Sequence, residues 1–134
     1  MLTVEQALEV INHNKRVAIV GLSPKEDRPS HRVAKFLIDR GFQIVPVTPI
    51  HDEILGIPCK KSLSEIGNGE VDWVDFFVNP TKLKEFTSDL VDLSPKLVWC
   101  QIGVVDEEFN SQLAGKGIPY IADVCPKMEI EKTE

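Results

Sequence analysis

The residues best suited to bind an anion follow the first apolar run of the chain. Residues 17–20 are apolar and either β-branched or small, which is typical of a buried strand in a parallel sheet, and Gly21 follows them directly. Ser23, Arg28 and Ser30 come next, where a helical pattern begins. Backbone N–H groups at a helix start bind phosphate, and an arginine beside them can pair with the same group. The spacing therefore predicts a phosphate-binding strand, loop and helix start, with Ser30 as the N-cap.

The chain has no recognisable set of catalytic side chains. Ser23 lacks the G-x-S-x-G context of a nucleophile, and Asp72 and Asp75 lie within a predicted strand rather than as an acid/base pair. No nucleophile, base and orienting acid can be assembled from the remaining residues. The sequence therefore favours a binding protein over an enzyme, and no catalytic residue is predicted.

The histidines and cysteines do not form a metal-binding pattern, so no metal is predicted. Three histidines are far apart in the sequence and are expected on the surface: His13, His31 and His51. Three cysteines are widely spaced without a C-x-x-C pair, which favours packing residues over a zinc site or a disulfide framework: Cys59, Cys100 and Cys125.

Length and charge are those of one globular domain. The 134 residues are enough for one hydrophobic core, so we expect a single domain over residues 1–134. The net charge of -6 argues against nucleic acid as the main partner, because phosphate backbones are bound by clustered lysine and arginine. No apolar run approaches the ~20 residues of a membrane span, and the amino terminus lacks a signal-peptide pattern. We therefore expect a cytoplasmic protein that does not bind membranes.

Strands and helices alternate along the chain. A leading helix that begins with a capping box of Thr3 and Gln6 is expected within residues 1–14, and a charged tail over residues 128–134. Five apolar runs predict strands, at residues 17–20, 42–47, 71–78, 97–102 and 118–122. With helical patterns between them, they predict a doubly wound, three-layer α/β domain of the Rossmann-like class with a five-stranded parallel sheet. In the usual strand order the ligand crevice lies beyond strands one and four, so the loops after Gly21 and Gly103 are expected to meet there.

The pattern after the first strand differs from that of NAD-binding proteins. The G-x-G-x-x-G fingerprint is missing, because Ser23 stands where its second glycine would be. NAD enzymes also place an acidic residue at the end of the second strand to bind the ribose, whereas this chain has Thr48 there. Without that carboxylate, the site tolerates a nucleotide with an extra phosphate on its ribose.

Several segments occur in an order and at a spacing that resemble a known family. They are Gly21-x-Ser23 and the segments at 28–34, 46–49, 99–103 and 125–127. From about Lys15 to Met128, the chain resembles the small stand-alone CoA-binding proteins, whose domain is similar to the amino-terminal CoA-binding domain of the succinyl-CoA synthetase α subunit. The resemblance implies a Rossmann-like domain that binds coenzyme A or an acyl-CoA at the carboxyl edge of its sheet, without an attached catalytic domain.

The resemblance also implies which residues contact the coenzyme. By position they are Gly21, Leu22 and Ser23 at the phosphates, Arg28 and Ser30 as a charged and capping anchor, Pro46, Val47 and Thr48 on the adenosine side, Phe77, Val78 and Pro80 on the next wall, and Gln101 and Gly103 closing the crevice. Thr48 departs from the family pattern, in which asparagine often precedes the proline.

Two other classes of function stay open at this point. One is a nucleotide-dependent enzyme, either an NAD(P)-linked oxidoreductase or an acyl-CoA-handling enzyme that acts with a partner subunit. The other is an interaction module that keeps the fold and binds no nucleotide. A homo-oligomer is also open, as is a mixed disulfide between the CoA thiol and Cys100 or Cys125.

Overall fold

The computed structural model describes all 134 residues of the chain. Its strands are Arg16–Val20 (β1), Gln43–Val47 (β2), Glu53–Ile54 (β3), Ile57–Pro58 (β4), Trp73–Phe76 (β5), Leu97–Cys100 (β6) and Tyr120–Ile121 (β7). Its α-helices are Val4–Asn12 (α1), Pro29–Asp39 (α2), Thr87–Leu93 (α3), Glu107–Gly115 (α4) and Pro126–Thr133 (α5). Two short 3-10 helices are Leu63–Glu65 and Pro80–Phe86.

Five strands form one parallel sheet in the order β2-β1-β5-β6-β7, and β3 and β4 form a separate antiparallel hairpin. The predicted Rossmann-like α/β fold with a five-stranded parallel sheet is confirmed. The expected position of the crevice between the first and fourth strands of the sheet is wrong, because β1 and β6 are not neighbours. β5 is the middle strand of this order, and the winding reverses between β1 and β5.

Each face of the sheet has its own hydrophobic core. Trp73 and Trp99 pack on the face covered by α1, α2 and α5, with ring centroids 5.8 Å apart. Phe76 and Phe109 pack on the face covered by α3 and α4, with ring centroids 6.1 Å apart. Alternate residues of β5 point to opposite faces, which is why one short strand supplies aromatic rings to both cores.

The two termini cover the sheet together. Thr3 and Gln6 form the capping box that the sequence predicts for α1. The N–H of Leu2 donates to the carbonyl of Tyr120 at 2.8 Å, so the start of the chain covers the edge strand β7.

The charged tail expected over residues 128–134 is instead the body of a helix. Pro126 occupies the first turn of α5, where its missing N–H costs nothing. Ile130 packs toward the core, and Glu134 pairs with Arg40 at 2.7 Å. The charged side chains of this segment lie on one side of an amphipathic helix. Counting charges in the sequence does not reveal that helix.

Candidate functional site

A crevice of about 720 Å³ opens at the carboxyl edge of the sheet. It is bounded by the loop between β1 and α2, by the segments after β5 and β6, and by the start of α5. Its lining includes Gly21, Ser23, Pro24, Lys25, Arg28, Pro29, Ser30, Arg32, Val33, His51, Phe77, Val78, Gln101, Ile102, Val104, Cys125, Lys127 and Met128. The crevice therefore lies where the winding of the sheet reverses, the usual ligand position in such folds.

The loop between β1 and α2 is held by its own hydrogen bonds. The N–H of Ser23 donates to Ser30 Oγ at 3.0 Å, and the N–H of Lys25 donates to Ser23 Oγ at 3.1 Å. His31 Nδ1 donates to the carbonyl of Ser23 at 2.9 Å, which fixes the tautomer of the ring. Ser23 is thereby bonded through its N–H, hydroxyl and carbonyl, and it shapes the loop.

Two expectations about this loop are wrong. Ser30 is not the N-cap of α2, because the helix begins at Pro29, whose fixed φ suits the first helical position, and Arg28 takes the cap position. His31 is not a surface histidine, because it is 5% exposed and its ring turns back onto the loop. Both side chains brace the loop from beneath it.

Gly21 allows the backbones of two neighbouring strands to approach each other. Its φ is +85°, and a Cβ at this position would collide with the carbonyl oxygen of Phe77. Its N–H donates to Val47 at 3.1 Å. The glycine is therefore required by the contact between the ends of β1 and β5, in addition to any ligand that approaches it.

Three cations, Lys25, Arg28 and Arg32, form what we call the basic rim of the crevice. None of them has a carboxylate partner, although the chain has 21 acidic residues. The only hydrogen bond that a side chain of the rim makes is from Arg32 to the carbonyl of Asp27, at 2.6 Å. A local excess of positive charge remains on an acidic protein.

Backbone donors lie beside the basic rim. The N–H groups of Leu22 and Ser30 form no hydrogen bond within the chain. Ser30 is in the first turn of α2, where the helix dipole favours negative charge. Unpaired N–H groups, a helix start and cations without an acidic partner together suit a phosphate group.

A buried carboxyl group lies behind Gln101, one of the residues that line the crevice. Asp75 is fully buried in β5, and its Oδ1 accepts a hydrogen bond from Gln101 Nε2 at 2.7 Å, while its Oδ2 has no partner. Burial raises the pKa of Asp75 to about 7, and the hydrogen bond from Gln101 only partly opposes that shift. Neighbouring Cys100 is also buried, and burial together with Asp75 raises the pKa of its thiol to about 12. Cys100 therefore stays a thiol and is a poor candidate for disulfide exchange.

The structure brings together just over half of the predicted site residues. Those that line the crevice are Gly21, Ser23, Arg28, Ser30, Phe77, Val78 and Gln101. Those outside its lining are Leu22, Pro46, Val47, Thr48, Pro80 and Gly103. Leu22 and Val47 belong to the core, and Thr48 Oγ1 accepts from the N–H of Ile50 within a turn. Gly103 donates its N–H to Asp123 Oδ1 at 2.8 Å and so joins the loops after β6 and β7.

The sequence interpretation missed the contribution of α5 to the crevice. Cys125, Lys127 and Met128 line part of its wall. The signal was a Cys-Pro pair directly after the last strand, because proline is favoured at the first position of a helix.

No group of three or more histidine, cysteine or acidic side chains is arranged to hold a metal ion, and no helix has the length and apolar character needed to cross a membrane.

The fold and the crevice define a Rossmann-like α/β protein with a site at its switch point. The model of the family described as CoA binding domain matches residues 15–131. The chain belongs to this CoA-binding domain family, as its ordered motifs indicate.

Similar proteins extend over most of the chain. It is 38% identical over 120 residues to the uncharacterized protein YneT of Bacillus subtilis (strain 168), a match that covers 90% of this chain and 88% of that protein. A solved structure of a hypothetical protein from Pyrococcus horikoshii OT3 has a TM-score of 0.91 at 31% identity, covering 98% of this chain and 92% of that chain. Both matches extend over most of this chain and most of the similar protein.

A shorter segment of the chain is similar to part of a larger enzyme. An acetate–CoA ligase (ADP-forming) of Methanocaldococcus jannaschii is 39% identical over 59 residues, which are 44% of this chain and 8% of the ligase. The similarity therefore concerns one part of that protein only.

Proposed function

We propose that this protein binds coenzyme A or an acyl-CoA in the crevice at the carboxyl edge of its sheet, and that it contributes no catalytic side chain of its own. The observation that carries the proposal is the basic rim, in which Lys25, Arg28 and Arg32 have no acidic partner beside the start of α2. Coenzyme A has a diphosphate and a 3′-phosphate, and it needs such local positive charge. Membership of the CoA-binding domain family supports the same ligand.

The crevice also suits the less polar arm of the coenzyme. Away from the basic rim its lining includes Phe77, Val78, Val104 and Met128. An apolar wall with a few polar groups is typical of small-molecule sites. We infer that the phosphates lie at the start of α2 and that the pantetheine arm runs along β5 and β6 toward α5.

NAD is the less favoured nucleotide. Thr48, at the position where NAD enzymes have an acidic residue, uses its hydroxyl within a turn and lies outside the lining of the crevice. Arginine and lysine at the rim are better matched to the extra phosphate of coenzyme A than to an unmodified ribose.

Isothermal titration calorimetry of the purified protein with CoA, acetyl-CoA and NADH tests the proposal. We expect saturable binding of CoA or acetyl-CoA and no comparable binding of NADH. Absence of measurable CoA binding at millimolar ligand would overturn the proposed function. Titration in buffer of higher ionic strength should weaken binding, because solvent-exposed charges at the rim are screened by salt.

The similarity to the acetate–CoA ligase supports a second candidate, an acyl-CoA-handling role with a partner subunit. The chain matches only 8% of that ligase, so the chemistry would come from the partner. Release of ADP from ATP, acetate and CoA is the assay. Activity of the purified chain alone would contradict a pure binding role, whereas activity only after addition of a partner would favour the second candidate.

A further inference from the structure

Gln101 stands in the wall of the crevice with one end of its side-chain amide already bonded. The residue directly follows β6, lines the crevice and is 6% exposed. Its Nε2 donates to Asp75 Oδ1 at 2.7 Å, on the side of the protein interior. The amide therefore has one remaining acceptor, Oε1.

The open end of this amide reaches the crevice. Gln101 Oε1 forms no hydrogen bond within the chain, and the one buried side-chain polar atom that lacks a partner is Asp75 Oδ2. Oε1 is thus neither bonded nor closed off. Gln101 lines the crevice, so Oε1 is available to a ligand that binds there.

Asp75 is costly for the fold and lacks a structural reason of its own. A buried carboxyl oxygen without a partner loses its hydration and receives nothing in exchange. An apolar side chain of similar shape would pack between the neighbouring Ile19 and Trp99 without that cost. Such a local conflict is expected where a residue serves a site rather than the core.

We propose that Asp75 is a positioning residue, which fixes the amide of Gln101 so that Oε1 accepts a hydrogen bond from an amide N–H of the pantetheine arm. Asp75 Oδ1 accepts from the NH2 end of the amide in either protonation state, because a proton on this carboxyl group can be carried by the unpartnered Oδ2, and the amide oxygen is left toward the crevice. Without Asp75 the amide can rotate and present either end. This inference rests on the proposed function, since it assigns a contact to the same ligand.

Variants at both positions separate positioning from a structural role. CoA is compared with 3′,5′-ADP, which has phosphates for the basic rim but no pantetheine arm. In Asp75→Leu we expect CoA affinity to fall about tenfold, the effect of one lost hydrogen bond, and 3′,5′-ADP affinity to stay within about twofold. Gln101→Met should give the same selective loss, and the double variant should lose no more than either single variant.

The outcomes distinguish this inference from the proposed function. Wild-type protein that binds neither CoA nor 3′,5′-ADP would contradict the proposed function itself. Wild-type protein that binds both, with Asp75→Leu weakening both equally or neither, would overturn the positioning role alone. Additive losses in the double variant would also overturn it, because Asp75 would then act independently of Gln101.

A measurement on the wild-type protein serves if Asp75→Leu does not fold. The ¹⁵N-labelled side-chain amide of Gln101 should remain slow to exchange its protons with solvent before and after CoA is added, because Nε2 stays bonded to Asp75. Loss of that protection on addition of CoA would show that the amide turns its nitrogen to the ligand, and the proposal would be wrong.

Discussion

Asp72 and Asp75 are three residues apart in the sequence, one just before β5 and the other near its carboxyl end. Arg16 surrounds the carboxylate of Asp72, donating from Nη2 to Oδ1 at 2.9 Å and from its backbone N–H to Oδ2 at 3.1 Å. Burial acts to raise the pKa of Asp72, but the hydrogen bonds and charge of Arg16 outweigh it, and the pKa is lowered. Asp75 has one neutral partner, and its pKa is raised to about 7.

The same difference holds for the cations at the two edges of the sheet. At the amino edge, Arg16 pairs with Asp72, and Lys96 donates to Asn14 Oδ1 at 2.8 Å. At the carboxyl edge, no side chain of the basic rim has an acidic partner. Arg16 and Lys96 at the amino edge have partners within the protein, and we interpret the basic rim at the carboxyl edge as reserved for a ligand.

The largest expected difference between Asp75 and Asp72 is in how the contribution of Asp75 to the unfolding free energy changes with pH. Because its pKa is higher in the folded state than in the unfolded chain, folded protein holds a proton between about pH 4 and pH 7, and this contribution to stability is lost as pH rises. A shift of about three pKa units corresponds to roughly 4 kcal/mol. We therefore expect the unfolding free energy of Asp75→Leu, relative to wild type, to rise by up to that amount from pH 4 to pH 8. Urea unfolding at both pH values measures it, and a constant difference would contradict the buried, raised pKa.

At the carboxyl edge the close contact is between backbone atoms of Gly21 and Phe77, whereas at the amino edge it is between the side chains of Arg16 and Asp72. A substitution at Gly21 tests how much the backbone contact contributes to stability. Gly21→Ala should lower the unfolding free energy by about 3 kcal/mol, because the new Cβ meets the carbonyl of Phe77 at a positive φ. Gly103→Ala is the matched control, since its φ is +79° but its Cβ meets nothing within 4 Å. That control should cost about 1 kcal/mol. Equal losses in urea unfolding would remove the backbone contact as the cause.

Replacing Arg28 should change the affinity for CoA and not the stability of the protein, whereas replacing Arg16 should change the stability and not the affinity. Arg28→Ala is expected to weaken CoA binding by about 2 kcal/mol and to leave stability unchanged, because the side chain has no partner in the protein. Arg16→Ala should lower stability and leave CoA affinity unchanged. Lys35→Ala, an exposed position of α2 outside the crevice, is the control for net charge. Calorimetry showing full CoA affinity in Arg28→Ala would remove Arg28 from the site.

The smallest effect is expected at Asp72, with a pH dependence opposite to that of Asp75. Its pKa is lowered in the folded state, so its contribution is present above about pH 4, the ordinary value, and is lost as pH falls. Asp72→Asn should cost about 1 kcal/mol at pH 7, a modest value because Arg16 is open to solvent. Acid titration of the unfolding free energy should bring the variant and wild type together below pH 4. A gap that widens in acid would show that the ion pair is not the cause.

The sequence predicted the elements because their signals are local. Four apolar residues before Gly21 and the capping box at Thr3 and Gln6 depend only on neighbours in the chain. The order of the strands in the sheet was predicted wrongly, because it depends on pairing between residues far apart in the sequence, and β1 pairs with β5 and not with β6.

The sequence predicted the part of the crevice lining that follows β1 and did not predict the part that comes from α5. Gly21, Ser23 and Arg28 follow one strand, so a single local pattern found them. Cys125 and Met128 join them only because α5 packs back against the sheet. The charged sequence of this segment does not predict that packing. Pro46, Val47 and Thr48 were included by position, but they lie outside the crevice lining. Val47 packs in the core, and the hydroxyl of Thr48 is bonded within the turn that follows β2.

Sequence alone determined the alternation of strands and helices, the family motifs and the absence of an NAD fingerprint, because each is encoded in residues close together. Tertiary structure alone decided that Ser30 and His31 brace the loop, that the basic rim has no acidic partner, and that Asp75 bonds Gln101 across two strands. These features depend on distance and burial in three dimensions. Two aspartates three residues apart look alike as letters, and only their surroundings give one a lowered pKa and the other a raised one.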